Sequence, residues 1–213
     1  LSLTNSGALL RKRLLTMKND EKAIKVELKS NYHGIETLSI GVTMTIGEYA
    51  IVDKLSDFLN RHPKTNIHIH YGNTSQLLHL LDNGQINIAI VEGNYPKENY
   101  THKKYRTEDY IAVCAATHNF LIGQPHTIDD LVCERLLLRE KGSGTRDILE
   151  QSLIARGMRI SDFIHYTEVE NMHTIIDLLK KDCGISFLYK IAVENELHSG
   201  DRKSTRLNSS HQV

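Results

Sequence analysis

No stretch of this 213-residue chain approaches the roughly 20 consecutive apolar residues that a membrane-spanning helix needs, and the N-terminus lacks the apolar core and cleavage site of a signal peptide. A cytoplasmic protein with no membrane partner is the expectation. Cysteine is scarce: Cys114, Cys133 and Cys183 lie in or beside apolar runs, are odd in number and form no CxxC pair, and so read as reduced core thiols. An excess of one charge is also missing. Lys+Arg 26 balances Asp+Glu 26, which removes any global electrostatic argument for nucleic acid, although a local basic face stays open. Catalytic and metal signatures are lacking too: there is no HExxH, no GxGxxG and no Walker lysine, and Gly142-Ser143-Gly144 does not have GxSxG spacing. His68 and His70 share one strand face opposite Ile67, Ile69 and Tyr71, which reads as a solvent face rather than a ligand pair. No enzyme, cofactor or metal is expected. With 40% hydrophobic and 24% charged residues, the chain can bury a sizeable core in one or two modest domains.

What the chain does have is a pair of junctions with one chemistry. Arg139-Glu140-Lys141-Gly142-Ser143-Gly144-Thr145-Arg146 follows the apolar run Leu136-Leu137-Leu138 and opens a helical pattern through Ile148, Leu149 and Leu153. A glycine-rich strand-to-helix turn leaves backbone N–H groups unpaired at the positive end of a helix dipole, which is a seat for an anion. Ser143 and Thr145 add hydroxyls, and Arg146 adds charge. A plain N-cap is the alternative use of the same residues. The second junction, Thr43-Met44-Thr45-Ile46-Gly47-Glu48-Tyr49, follows Leu38, Ile40 and Val42 and precedes Ile51, Leu55, Phe58 and Leu59. A capping box of Thr45 with Glu48 is its alternative. Two such junctions in separate halves point to one ligand clamped between them.

Residues 4–32 carry a long helix pattern in which Leu10, Leu14, Met17, Ile24 and Leu28 form a heptad-like seam, with Thr4, Asn5 or Ser6 as the cap and His33-Gly34 as the stop. So narrow a stripe points to packing on another chain, with an arm folded back on its own domain as the alternative. From Leu38 onward strands and helices alternate, the pattern of an α/β protein with parallel strands and ligand sites at strand carboxyl ends. Strands are expected near 36–43, 66–71, 86–91, 102–107, 109–116, 134–138, 163–168 and 184–188. Helices are expected near 46–61, 74–83, 145–156 and 172–181. Ile111-Ala112-Val113-Cys114-Ala115-Ala116 divides two blocks of comparable size, and with only three prolines and no Pro- or Ser-rich linker, the two lobes should share a short, strand-like hinge. Residues 201–213 are polar and without period, and read as a disordered or foreign tail.

Taken together, these segments resemble the LysR-type transcriptional regulators. Leu1-Ser2-Leu3-Thr4-Asn5-Ser6-Gly7 is similar to the end of that family's winged helix-turn-helix, where a wing strand enters the linker helix through Leu-Thr-x-x-Gly. The blocks Leu38-Ser39-Ile40-Gly41 and Thr45-Ile46-Gly47-Glu48-Tyr49 resemble the opening of the effector domain. Gly72-Asn73-Thr74, Ile88-Ala89-Ile90-Val91-Glu92-Gly93, the Arg139-to-Arg146 turn, Glu168 with Asn171, and Gly184-Ile185-Ser186 continue the match. The resemblance implies a two-lobed α/β fold like type 2 periplasmic binding proteins, preceded by a long linker helix. In those terms residues 1–33 are the wing end and the dimerising helix, residues 34–200 the effector domain with lobes of about 34–108 and 112–200, and 201–213 the tail. It also implies that the helix-turn-helix and the elements closing the first lobe lie outside this sequence, which would leave a strand edge and apolar surface exposed.

Carried over by residue, the resemblance places Thr43 and Thr45 on one side of a small anionic effector and Ser143, Gly144, Thr145 and Arg146 on the other. The effector would be a carboxylate, sulfate or phosphate. Thr74 and Asn171 are further candidates that also suit N-caps, and Glu92 either lines the cleft or makes a hinge turn. Leu10, Leu14, Met17, Ile24 and Leu28 would pair subunits in a dimer or tetramer, and operator DNA would be met only through the absent domain. A small-anion-binding protein of the same fold without a regulatory role is the alternative.

Overall fold

The computed structural model describes residues 3–33, 36–194, 197 and 202–212; Leu1 and Ser2, expected at the wing end, and Gly34, expected at the helix stop, lie outside it. Helix α1 (Asn5–His33) starts at Thr4, whose hydroxyl accepts the Gly7 N–H at 3.1 Å. Its seam is uncovered: Leu10, Leu14, Met17, Ile24 and Leu28 are between 54% and 65% exposed. Where α1 meets the body, Asn19 Nδ2 donates to Asp82 O at 3.3 Å and Lys22 Nζ to Asn83 O at 3.0 Å. An arm folded back by its apolar stripe is therefore not what forms.

The first lobe is a parallel sheet of β1 (Glu36–Val42), β2 (Thr65–Tyr71) and β3 (Ile88–Ile90) in the order β2-β1-β3. Helices α2 (Val52–Arg61) and α3 (Thr74–Asp82) make the crossovers that parallel pairing requires. The expected helix over 46–61 is divided into a π-helical turn, Ile46–Ala50, and α2. The wider turn sets Gly47 against the Tyr71 ring, where a Cβ would collide. Tyr71 accordingly does not join the buried side of β2; it is exposed beyond Ile67 and Ile69, while His68 faces solvent and His70 is half-buried. The core here is small, built on Ile40, Val42, Ile46 and Ile51. Ile88, at the uncovered edge of the sheet, is 49% exposed.

The second lobe is a five-stranded sheet, order β6-β5-β7-β4-β8, of β4 (Thr107–Ala115), β5 (Arg135–Leu138), β6 (His165–Glu168), β7 (Ile185–Tyr189) and β8 (Arg202–Gln212). Strands β5, β6 and β7 are parallel, and β4 runs antiparallel to β7 and β8. The run Leu136-Leu137-Leu138 is apolar throughout because both faces are covered. Leu136 and Leu138 pack beneath helix α4 (Gly144–Ile154) with Ile148, Leu149 and Leu153. Leu137 packs with Met172, Ile175, Ile176 and Leu179 of helix α5 (Met172–Lys180) on the other face. Each such buried side chain contributes roughly 1.5–3 kcal/mol.

Three expectations are corrected. No separate strand forms over 102–107: residues 101–106 are exposed and without regular structure, and one strand, β4, which begins at Thr107, carries the chain into the second sheet. The polar segment after 201 is not outside the fold, since 202–212 pair with β4 from Ala115↔Arg202 to Thr107↔Gln212. Ladder bonds are made by backbone groups, so an open edge accepts a segment with no apolar period. Finally, of the three cysteines only Cys114 is buried; Cys133 is half-buried and Cys183 is exposed.

Candidate functional site

The carboxyl ends of β1 and β5 face one another across the lobes, and each carries its hydroxyl-rich turn there. Thr45 does not cap: its backbone is already helical, at φ −58° and ψ −45°, and its side chain makes no capping bond. The capping box with Glu48 is therefore absent, and the Thr43 and Thr45 hydroxyls are buried without a hydrogen-bond partner. Across the cleft, Ser143 stands at the N-cap of α4 without using its hydroxyl to cap. Gly142 makes the turn at φ +90°, a conformation that favours glycine.

Glu92 is the residue on which both sides converge. It follows β3, is only 2% exposed, and its Oε1 accepts the Thr145 hydroxyl at 2.8 Å. The hydroxyls of Thr43 and Thr45 face the same carboxyl group without reaching hydrogen-bond geometry, and Glu92 Oε2 is unpartnered. Burial pushes the Glu92 carboxyl above its ordinary range, and the hydroxyls of Thr145, Thr43 and Thr45 and the charge of Arg139 offset this only in part. Two buried tyrosines complete the surroundings. Tyr110 donates to Thr145 O at 2.8 Å, and both Tyr110 and Tyr189 are held neutral by burial, with the Glu92 charge adding to the effect.

Several other candidates are occupied elsewhere. Thr74 is not the cap of α3, because Asn73 takes that place in a capping box with Gln76. The Thr74 hydroxyl instead donates to Glu92 O at 2.9 Å, anchoring the backbone that carries the acid. Asn171 is an N-cap, its oxygen accepting from Thr174 N at 3.0 Å. Arg146 adds no free charge to the cleft. Its guanidinium donates to Glu150 at 2.7 Å, to Glu168 at 2.5 Å and to Arg139 O at 3.0 Å. Burial alone would lower its pKa, but the bonds from Glu150 and Glu168 outweigh that and raise it. Arg139, buried and paired with Glu140 through two bonds of 2.8 and 3.0 Å, is the arginine that faces the open cleft; spacing alone did not single it out.

Between the lobes lies a cavity of about 430 Å³, lined by Met44 and Asn73 of the first lobe and by Arg139, Lys141, Glu168 and Glu170 of the second; it borders the two turns through Met44 and Arg139, not through the buried hydroxyls or Glu92. The lobes meet tightly beside it. A Cβ on Gly144 would collide with the Glu92 carbonyl oxygen, and one on Gly93, at φ +82°, would lie 2.7 Å from Gly144 Cα. A second bridge joins the π-helical turn to α5, where Tyr49 Oη lies 3.4 Å from His173 Nδ1 and Glu48 Oε2 lies 3.3 Å from His173 Nε2. Among the described residues no group of three or more His, Cys, Asp or Glu side chains is placed to hold a metal ion, and no helix is long and apolar enough to cross a membrane.

Comparison with known proteins gives a consistent picture. The family described as LysR substrate binding domain matches residues 34–207, reaching into β8. The HTH-type transcriptional regulator CysL of Bacillus subtilis is 30% identical over 158 residues, 73% of this chain and 52% of that protein. A probable RuBisCO transcriptional regulator of Trieres chinensis is 26% identical over 207 residues, covering 92% of this chain and 66% of its own length. The chain thus spans less than two thirds of both relatives. Among solved structures, the regulatory domain of Synechocystis CcmR in complex with 2-PG aligns with a TM-score of 0.69 at 19% identity, covering 79% of each chain. The effector-binding domain of QuiR in complex with shikimate aligns at 0.67 and 18%, covering 84% of this chain and 85% of that one. At these identities the likeness shows the fold.

Proposed function

This chain belongs to the LysR substrate-binding-domain family, and we propose that it is the sensing part of a transcriptional regulator, binding a small anionic effector between its lobes and passing the bound state to DNA-binding domains through α1. The observation that carries this reading is the convergence of buried hydroxyls from both lobes: Thr43 and Thr45 from the first, Thr145 from the second. Hydrogen bonds from such donors to a charged group contribute about 1.5–3 kcal/mol each, enough to favour the lobe arrangement that makes them all at once. A ligand that touches both turns binds the closed arrangement in preference to an open one, which is the differential affinity that a switch requires.

The effector is a small carboxylate, sulfate or phosphate. The 430 Å³ cavity admits a compact molecule; with Arg139 paired to Glu140 and Glu168 paired to Arg146, Lys141 is the lining cation left to meet an anion and Glu170 an acceptor for hydroxyls the same molecule carries. Helix α1 is 29 residues long with an uncovered apolar seam, and it joins the body at the α3 end, so pairing of two such helices would carry lobe movement to a partner subunit. A binding protein without a regulatory role has no use for that helix, and both relatives compared are named as regulators.

A thermal-shift panel of small carboxylates, phosphates and sulfate, followed by calorimetry on each hit, tests the reading. A hit that raises the melting temperature and loses affinity in Thr45→Ala is the expected result. If no anion shifts the melting temperature, the effector reading is wrong.

A further inference from the structure

The floor of the clamp contains an acid where an anion seat would be expected to hold only donors. Glu92 lies between Thr43 and Thr45 on one side and Thr145 on the other, with one carboxyl oxygen bonded to Thr145 and the other unpartnered although buried. An ionised carboxylate there would repel an incoming oxyanion in a poorly solvated site. A neutral carboxyl group has one O–H, and its partner could be an oxygen of the ligand.

We infer that the clamp takes up one proton together with its anion, and that the proton resides on the Glu92 carboxyl, which enters the site as a hydrogen-bond donor. The balance is simple: ionised Glu92, one proton from solvent and the free anion become the Glu92 acid donating its O–H to the bound anion. No bond other than this O–H is formed. The inference rests on the cleft being an effector site, as proposed above.

The surroundings favour the acid form. Thr145 donates to Oε1, which leaves Oε2 as the atom to carry the proton. From the β1 turn, Thr43 and Thr45 face the group as neutral hydroxyls; from β4 and β7, Tyr110 and Tyr189 face it and stay neutral; from the end of β5, Arg139 is the cation acting on it among the described residues. Arg139 is tied to Glu140 in a bidentate pair, so much of its charge is already answered. Burial accordingly outweighs Arg139 and the hydroxyls and raises the Glu92 pKa. Thr74, holding the Glu92 carbonyl at 2.9 Å, and Gly144, against that same carbonyl, fix the backbone that carries the acid.

The ligand class follows from this. The site takes small oxyanions with an acceptor oxygen free to receive the Glu92 proton, and its affinity for them falls as pH rises through the Glu92 pKa. Above that pKa, affinity for an anion that does not itself titrate drops about tenfold per pH unit, because one proton must be bound for each anion.

Sulfate is the probe, since it carries no proton near neutral pH and any proton taken up belongs to the protein. Calorimetry of sulfate binding to the 213-residue chain, repeated in buffers of contrasting ionisation heat from pH 5.5 to 8.5, counts the protons directly. The expected result is uptake approaching one proton per sulfate at the high-pH end, with Glu92→Gln binding sulfate at a pH-independent affinity and with no uptake. Sulfate binding by wild type with no uptake at any pH overturns the inference and leaves the effector reading standing. Binding by Glu92→Gln alone at every pH also overturns it, because the acid would then exclude the anion. Binding by neither protein overturns it as well, and the effector reading is then decided separately by the ligand panel. Should Glu92→Gln fail to fold, the wild-type proton count decides alone.

Discussion

Gly144, the first residue of α4, lies so close to the carbonyl oxygen of Glu92 that a Cβ built on it would collide with that atom. This contact between the turn of one lobe and the strand end of the other brings Thr145, one residue on, within 2.8 Å of the Glu92 carboxyl. Gly144→Ala should therefore hold the lobes apart. The expected cost is about 1–3 kcal/mol of stability, as for other overpacked sites. Ligand affinity should fall at least about tenfold, or ~1.4 kcal/mol. Thermal unfolding and calorimetry measure the two effects, and unchanged affinity would show that the close approach is not needed for binding.

Thr45→Ala and Thr145→Ala remove one hydroxyl from each side of the clamp. Thr45→Ala should weaken effector binding by about 1–2 kcal/mol, the scale of a lost hydrogen bond to a charged group, and Thr145→Ala, whose single O–H is given to Glu92 Oε1, should weaken it by removing the bond that positions the acid, while the chain stays folded. The two differ in the ligand-free protein. The Thr45 hydroxyl has no partner to abandon, whereas loss of Thr145 leaves Glu92 Oε1 without its donor and should raise the Glu92 pKa further. Equal affinity for the effector in both variants and the wild type would remove the two-sided clamp.

Glu92 should also mark the pH dependence of folding. Its pKa is raised in the folded protein, so the folded state holds a proton that the unfolded state releases above about 4.3. Its contribution to stability is thus fully present below about pH 4.3 and is lost as pH rises towards the folded pKa, by at most about 1.4 kcal/mol per pH unit. Above the folded pKa the slope vanishes. Denaturant titrations of wild type and Glu92→Gln across pH isolate this part as the difference between the two curves. A difference that does not change with pH would mean that the carboxyl is ionised in the folded protein.

Much of this cleft was legible in the sequence because its turns are local: a hydroxyl and glycine cluster between an apolar run and a helical period can be read without knowing what lies opposite. Thr43, Thr45, Ser143 and Thr145 all stand at those turns. What could not be read is which partner each polar group chooses across the fold. Arg146 looked like free charge because Glu168 is 22 residues away, and Thr74 looked like a cap because its bond to Glu92 O spans 18 residues. Periodicity also failed for 202–212, where pairing with β4 is made by backbone groups and leaves no pattern in the side chains.

Arg146 fastens the second lobe, and its removal should be felt as lost stability. Its guanidinium joins α4 to the end of β6 through Glu168 and to the end of β5 through Arg139 O, and it is 7% exposed. Arg146→Ala strands a buried carbonyl, but Glu150 and Glu168 keep partial access to water, so the loss should be about 1.5–3 kcal/mol rather than the larger cost of a fully buried ion pair. Arg146→Lys should recover only part of it, since an ammonium group cannot reproduce the planar fork that reaches three acceptors. Chemical denaturation measures both. A destabilisation below about 0.5 kcal/mol for the alanine variant, the usual range for surface positions, would mean that the guanidinium is dispensable to the lobe.

The seam of α1 gives the last prediction. Leu14 and Ile24 are 54% and 56% exposed in the single chain, on a helix that is bonded to its own body through Asn19 and Lys22. A narrow heptad stripe of this kind is stable when it packs into the same stripe of a second helix, where each buried leucine or isoleucine contributes roughly 1.5–3 kcal/mol. The double variant Leu14→Glu, Ile24→Glu places charges in that seam on both partners, so like charges would oppose one another in a dimer. Sedimentation should show wild type as a dimer and the variant as a monomer at the same concentration. The lobes should melt within a few degrees of wild type when the ligand is saturating, because neither residue touches the clamp. An unchanged sedimentation coefficient would show that the seam is not the dimer contact, and the transmission route proposed through α1 would then have to be abandoned.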